Sequence, residues 1–358
     1  MRRWPISSLS VHGAKVGVFV PWFQPSSLSW MEAHVVITPA VPVNGAVDPI
    51  FTPLSFPSGL TIKNRVFRGN ISGRIDNYDG SGTMARVNWE ERFARGGVGA
   101  IVSAHVPIQV RGRVLPHYAF IDDDDKVAFW RAVGARVHAH GCAFILQLSH
   151  SGRQRDIAGV ENAGNTALSP TSRPDPVHGL PAQAMTLREI ADIVEGFAQG
   201  ARRAREAGLD GVELHASNGY LFTQFLSSAI NDRKDEYGGP LVNRARFLLE
   251  VMAAIRREAG DDFHLQVKMS TVDHANAIFP WKPKGNTLAE SVQVFKWVEE
   301  AGAHAVHVST GNFFPHPLNP AGDFTPRDVI DTPTTRCCPR AAAPCATTPC
   351  GDSHLPAR

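Results

Sequence analysis

From Asp48 onward, short apolar runs alternate with longer amphipathic stretches. The runs are NRVFRG (64–69), VGAIVSAHV (98–106), AFILQL (143–148), DGVELH (210–215), FHLQVKMS (263–270) and AHAVHVS (303–309). Most are rich in β-branched residues and read as strands buried on both faces, the pattern of a parallel sheet. The stretches between them, 84–97, 122–141, 185–208, 243–260 and 286–302, repeat apolar positions at helical spacing. The second opens on acids, Asp122 to Asp125, and closes on basic residues and Gly141, as the helix dipole and C-cap preferences require. The third carries Thr186 and Glu189 at capping-box spacing.

Strand–helix repetition of this kind builds parallel βα units, which a doubly wound sheet and a (β/α)8 barrel both satisfy. No G-x-G-x-x-G follows the first strand, and polar residues sit at C-terminal strand ends all along the chain. In a barrel those ends converge on one mouth, so an α/β fold of the (β/α)8 TIM-barrel type is expected. About six βα units are legible, so the expected barrel is incomplete, with its last two strands missing. The domain is placed at residues 48–330. Residues 1–47 are expected to form a disordered extension. Residues 331–358 hold one large aliphatic side chain, Leu355, and no periodicity, and are expected to be a disordered tail rich in Cys, Pro and Ala.

Composition narrows the function classes. A formal net charge of +2 gives no electrostatic footprint for a nucleic-acid partner. No run of about 18 apolar residues suggests a membrane span. Cys142 stands alone in the body of the chain, while Cys337, Cys338, Cys345 and Cys350 crowd the end; a lone body cysteine suits a reducing cytoplasm.

The chemistry concentrates in VELHASNGYLFTQFL, residues 212–226, where His215, Asn218 and Tyr220 follow a buried strand. An imidazole and a carboxamide three residues apart can both donate to one oxygen and polarise it. The Tyr220 hydroxyl can deliver a proton nearby. A single such histidine is more often a satisfied core residue, but three hydrogen-bonding side chains at one strand end favour a site. Gln147, in ILQLSHSGRQ, ends the third strand; its amide either bonds loop backbone or offers a donor and acceptor edge to a flavin pyrimidine. Lys268, in QVKMS, ends the fifth; it is a solvated rim lysine, a charge for a flavin N1–C2=O region, or a Schiff-base lysine. After the first strand, Gly69, Asn70, Ser72 and Gly73 would let backbone approach a flat ligand. Asp76, Asp79 and Asp122 to Asp125 read as capping and solvated acids rather than metal ligands.

Together these residues resemble the old yellow enzyme family, the NADH:flavin oxidoreductases. The resemblance spans roughly Asp48 to Thr325 and rests on PIFTPLSFPSGLTIKNRV, QLSHSGRQ, GVELHASNGYLFTQFLSSAINDRKDEYGG, NRARF and HVSTG. The long central motif is highly specific, and the flavour is similar to the bacterial branch that includes 2,4-dienoyl-CoA reductases. The resemblance implies a barrel holding non-covalent FMN, reduced by NADH or NADPH, that passes hydride to the β-carbon of an α,β-unsaturated carbonyl compound. It implies that His215 and Asn218 bind the carbonyl oxygen, that Tyr220 protonates the α-carbon, and that Gln147, Lys268, Ser72 and Asn70 line the flavin. Lys268 stands where the family usually has Arg, and Ser72 where Thr or Cys is common. The implied partner is a small enone or enoyl molecule, and a homo-oligomer is compatible with it. The family's phosphate-binding strands lie beyond the legible units, and the terminal cysteines lack the spacing of that branch's iron–sulfur motif. The alternative expectation is therefore a truncated, non-catalytic remnant unable to hold FMN.

Overall fold

The computed structural model describes residues 48–155, 166–176, 179–275, 281 and 283–311. The expectations for residues 1–47 and 331–358, and for the clustered cysteines, lie outside them. In chain order the elements are strands β1 (Leu54–Ser55), β2 (Thr61–Ile62) and β3 (Phe67–Arg68), helix α1 (Met84–Arg95), strands β4 (Ala100–Val102) and β5 (Val106–Pro107), helix α2 (Val127–His138) and strand β6 (Ala143–Ser149). They continue with β7 (Ala167–Ser169), β8 (Ala182–Ala184), α3 (Leu187–Glu206), β9 (Gly211–Ala216), α4 (Leu221–Leu226), α5 (Leu241–Ala259), β10 (His264–Ser270), α6 (Leu288–Glu300) and β11 (Ala305–Ser309).

Every strand-like run in the sequence contains a strand, and every helical stretch a helix. The main sheet runs β11–β10–β9–β6–β4–β3, all parallel, with β5 added on β6. The sheet is curled. Lys268 Nζ on β10 donates to Asn70 Oδ1, just past β3, at 2.7 Å. A Cβ on Gly69 would stand 3.9 Å from the His307 ring on β11. Residues at opposite ends of the strand order thus meet across a concave face. The described residues form a partial (β/α)8 barrel, with helices outside and the C-terminal strand ends at one rim.

Side-chain alternation assigns the two faces. Phe144, Leu146, Leu148, Val212, Leu214, Leu265, Val267 and Met269 form one buried cluster with α1, α2, α3, α5 and α6. The alternate positions, Gln147, Glu213, His215, Gln266, Lys268 and His307, take the concave face. At the N-terminal strand ends, Ile62 of the β1–β2 hairpin packs on Ala100 and Ala143, the first residues of β4 and β6, and stoppers the concavity.

Local chemistry explains the element ends. Thr186 and Glu189 form the expected reciprocal capping box on α3, and Thr287 and Glu290 form another on α6. Gly208, after α3, adopts φ of 76°, a conformation that costs glycine little, and its N–H caps the Arg205 carbonyl. The expected second helix starts later than its acids, at Val127. Asp123 instead caps a 3-10 turn, Asp124–Lys126, and Asp124 pairs with Arg202 and Arg203.

Asp76 differs from the sequence expectation of a solvated loop acid. It is buried and pairs with Arg86 at 2.6 Å; Arg86 also reaches Glu90 at 3.3 Å, and Glu90 pairs with Arg68 of β3. Burial and the neighbouring Arg86 lower the Arg68 pKa to about 9. This network clamps the β3–α1 loop onto α1. Arg86→Met would leave two carboxylates buried with less compensation, and urea unfolding is expected to show a loss of ~3–5 kcal/mol. A loss below ~1 kcal/mol would contradict the clamp.

Candidate active site at the strand rim

The site is assembled where β9 leaves the sheet. His215 lies on the concave face beside Lys268, its register partner on β10. After Ala216 the chain turns sharply. Asn218 takes φ of 58°, a left-handed conformation that asparagine tolerates better than most residues. Its carbonyl accepts from Gln154 Nε2 at 3.0 Å, and its Oδ1 accepts from Ser217 Oγ at 2.8 Å. That leaves Nδ2 as the end of the carboxamide without a partner among the described residues. Tyr220 then opens α4, and the next peptide N–H bonds the His150 carbonyl at 3.0 Å, tying the turn to the end of β6. The structure thus gathers His215, Asn218 and Tyr220 at one rim.

Their environment sets their protonation. The His215 and Tyr220 rings meet edge to face, 4.7 Å between centroids. Burial, with Lys268, His105 and His307 nearby, holds the His215 pKa well below its usual value, so the ring is neutral at physiological pH, one nitrogen donating and the other accepting; Nδ1 lies 3.3 Å from Ser217 Oγ. Burial likewise raises the Tyr220 phenol, which keeps its proton. A neutral imidazole can donate through one nitrogen, and a protonated phenol can deliver a proton.

Of the flavin-lining candidates, the structure brings Lys268 and Asn70 together, while Gln147 and Ser72 have other partners. Gln147 is fully buried; its Nε2 donates to Glu213 at 2.7 Å and its Oε1 has no partner among the described residues. Lys268 holds Asn70 as described above. Burial lowers the Lys268 pKa, and Glu213 opposes the shift. Ser72 is exposed, and its hydroxyl hydrogen-bonds the Tyr118 hydroxyl. These residues can accommodate an FMN ring: Gln147 Oε1 is a buried acceptor, Lys268 is a cation on the same concave face, and Gly69 presents no side chain.

Several site residues escaped the sequence reading. Glu213 accepts from Gln147, from Gln266 Nε2 at 2.5 Å and from His307 Nδ1 at 3.0 Å. It is fully buried yet its pKa is lowered, since His307, Lys268 and Gln147 together outweigh the effect of burial. His105 packs its ring 5.2 Å from Tyr220 and 5.4 Å from Tyr118, and burial lowers its pKa to about 3. It was hidden inside VGAIVSAHV, which read as one strand. Ser103 interrupts that strand, because its Oγ accepts the Gln147 backbone N–H at 2.8 Å. The signal that was available for Glu213 is its place two residues before His215, on the same face of a strand.

Comparison with known proteins places the fold in a family. Residues 49–321 match the family model of the NADH:flavin oxidoreductase / NADH oxidase family. The chain is 34% identical over 253 residues to an NADH oxidase of Thermoanaerobacter brockii, covering 70% of this chain and 38% of that protein. It is 35% identical over 268 residues to an NADPH dehydrogenase of Geobacillus thermodenitrificans, covering 74% of each. Among solved structures, the old yellow enzyme homologue of Zymomonas mobilis superposes with a TM-score of 0.63 at 26% identity, covering 74% of each chain. Among the described residues no helix is long and apolar enough to cross a membrane. A curled parallel sheet with its hydrogen-bonding residues at the strand rim and these matches lead to one assignment: the chain belongs to the NADH:flavin oxidoreductase / NADH oxidase family, the FMN-dependent NAD(P)H oxidoreductases of old yellow enzyme type.

Proposed function

We propose that this protein reduces the activated carbon–carbon double bond of a small α,β-unsaturated carbonyl compound. The observation that carries the reading is the gathering of a neutral imidazole, His215, the Asn218 carboxamide and a protonated phenol, Tyr220, at the end of β9. When bound, FMN reduced by NADH or NADPH supplies the hydride for the β-carbon.

His215 and Asn218 donate hydrogen bonds to the substrate's carbonyl oxygen. They draw electron density toward it and stabilise the enolate character that grows as the β-carbon is attacked. A neutral imidazole is suited to this task, because it stabilises charge without surrendering its own proton. Tyr220 then gives its proton to the α-carbon, completing the saturated product. Gln147, Lys268, Asn70 and Ser72 would hold the flavin: Gln147 Oε1 as an acceptor, Lys268 as a cation near the pyrimidine, and Asn70 keeping Lys268 in place at 2.7 Å.

Tyr220→Phe is expected to slow alkene reduction by roughly 10²–10⁴-fold while leaving flavin reduction by NAD(P)H within about twofold. Stopped-flow absorbance separates the two half-reactions, and equal losses in both would remove Tyr220 from the protonation step. His215→Ala and Asn218→Ala are each expected to weaken binding of phenolic ligands, which mimic the enolate, by roughly tenfold; unchanged affinity would contradict the carbonyl-binding role.

A pH profile tests the protonation states. His215 has a depressed pKa, so it is already neutral well below pH 6.5; Tyr220 has a raised one, so it stays protonated above pH 10. The alkene half-reaction is therefore expected to be flat between about pH 6 and 9. A limb near 6.5 that disappears in His215→Ala would show that the imidazole titrates in the working range.

A further inference from the structure

We propose that Glu213 is a positioning residue that fixes which end of the Gln147 amide faces the cofactor. The inference rests on the FMN-binding reading above and extends it to a residue that touches no ligand.

The argument starts from hydrogen-bond chemistry. An ionised carboxylate only accepts. Glu213 is fully buried on β9, and its register partners are Gln147 on β6 and Gln266 on β10. Both amides turn their nitrogens to it, at 2.7 and 2.5 Å, and the His307 ring approaches at 3.0 Å from β11. Gln266 Oε1 is used in turn by His264 Nε2 at 3.0 Å, and His264 Nδ1 bonds Ser58 Oγ at 3.0 Å. The chain of bonds thus reaches the stopper end of the barrel, and its directions are set by the carboxylate, which accepts from both amides.

The consequence falls on Gln147. With Nε2 committed to Glu213, its carbonyl is the group left over, buried and without a partner among the described residues. A free amide could rotate by 180° and present either end. Held by Glu213 it presents only an acceptor, so it selects a ligand edge that carries an N–H, as the imide of a flavin pyrimidine does. An unmet buried acceptor is costly, which is why a matching donor contributes to binding.

A double-mutant cycle tests whether Glu213 acts through Gln147. The four proteins are the full chain, Glu213→Gln, Gln147→Leu and the double variant; the measurement is the FMN dissociation constant by fluorescence quenching. Glu213→Gln keeps the shape but can donate, so Gln147 is free to flip. FMN binding is expected to weaken roughly tenfold in the Gln147 background and less than twofold in the Gln147→Leu background. A general loss of structure would act equally in both backgrounds, so equal losses overturn the proposal while leaving the cofactor reading intact. If Glu213→Gln does not fold, Glu213→Asp withdraws the acceptor by one methylene, and the same non-additivity is expected; additive losses there overturn it too. Failure of the unmodified chain to bind FMN overturns the cofactor reading and this proposal together.

Discussion

A fully buried carboxylate is the constraint around which the inside of this barrel is arranged. Removing Glu213 from water costs several kcal/mol, which only close donors can offset. The chain supplies those donors from both neighbouring strands and the strand beyond: Gln147, Gln266 and His307. Each sits on the concave face by period-two alternation, so the parallel register that pairs β6 with β9 and β9 with β10 is also what brings the donors to the acid. A slip by one residue would turn Glu213 into the apolar layer and Leu214 into the polar one. The network therefore specifies register as well as filling space.

The rim follows from the layer beneath it. His215 is two residues after Glu213, hence one layer higher on the same face, and Lys268 is its register partner. Burial then sets the chemistry: His215 stays neutral and Tyr220 stays protonated because their charged forms have no solvation there. On the opposite face the same strands present Val212, Leu214, Val267 and Met269 to the helices. One alternating sequence thus builds a hydrophobic core outside the sheet and a polar, directional interior inside it.

Much of this was legible in the sequence, for identifiable reasons. The helices declared themselves through caps such as Thr186–Glu189, and the strands through β-branched runs. His215, Asn218 and Tyr220 stood out because polar side chains follow an apolar run within a few residues. Glu213, Gln266 and His307 did not, since isolated polar letters in a buried strand reveal nothing about one another until strand pairing places them within 3.0 Å. His105 was hidden for a different reason: Ser103 breaks the strand by a side-chain-to-backbone bond that no periodicity records. Asp76 looked like any loop acid, and only the return of α1 brings Arg86 to it. Long-range polar pairing is the class of feature that local pattern does not encode.

The central claim is that the concave face, organised by Glu213, holds one flavin at the rim. Titrating the purified chain with FMN while recording its visible absorption and gel-filtration profile tests it most directly. The expected result is a flavin spectrum that co-elutes with the protein and saturates at one FMN per chain. A protein that stays colourless after gel filtration from excess FMN would contradict the account, because the Gln147 carbonyl and Lys268 would then serve some other ligand or none.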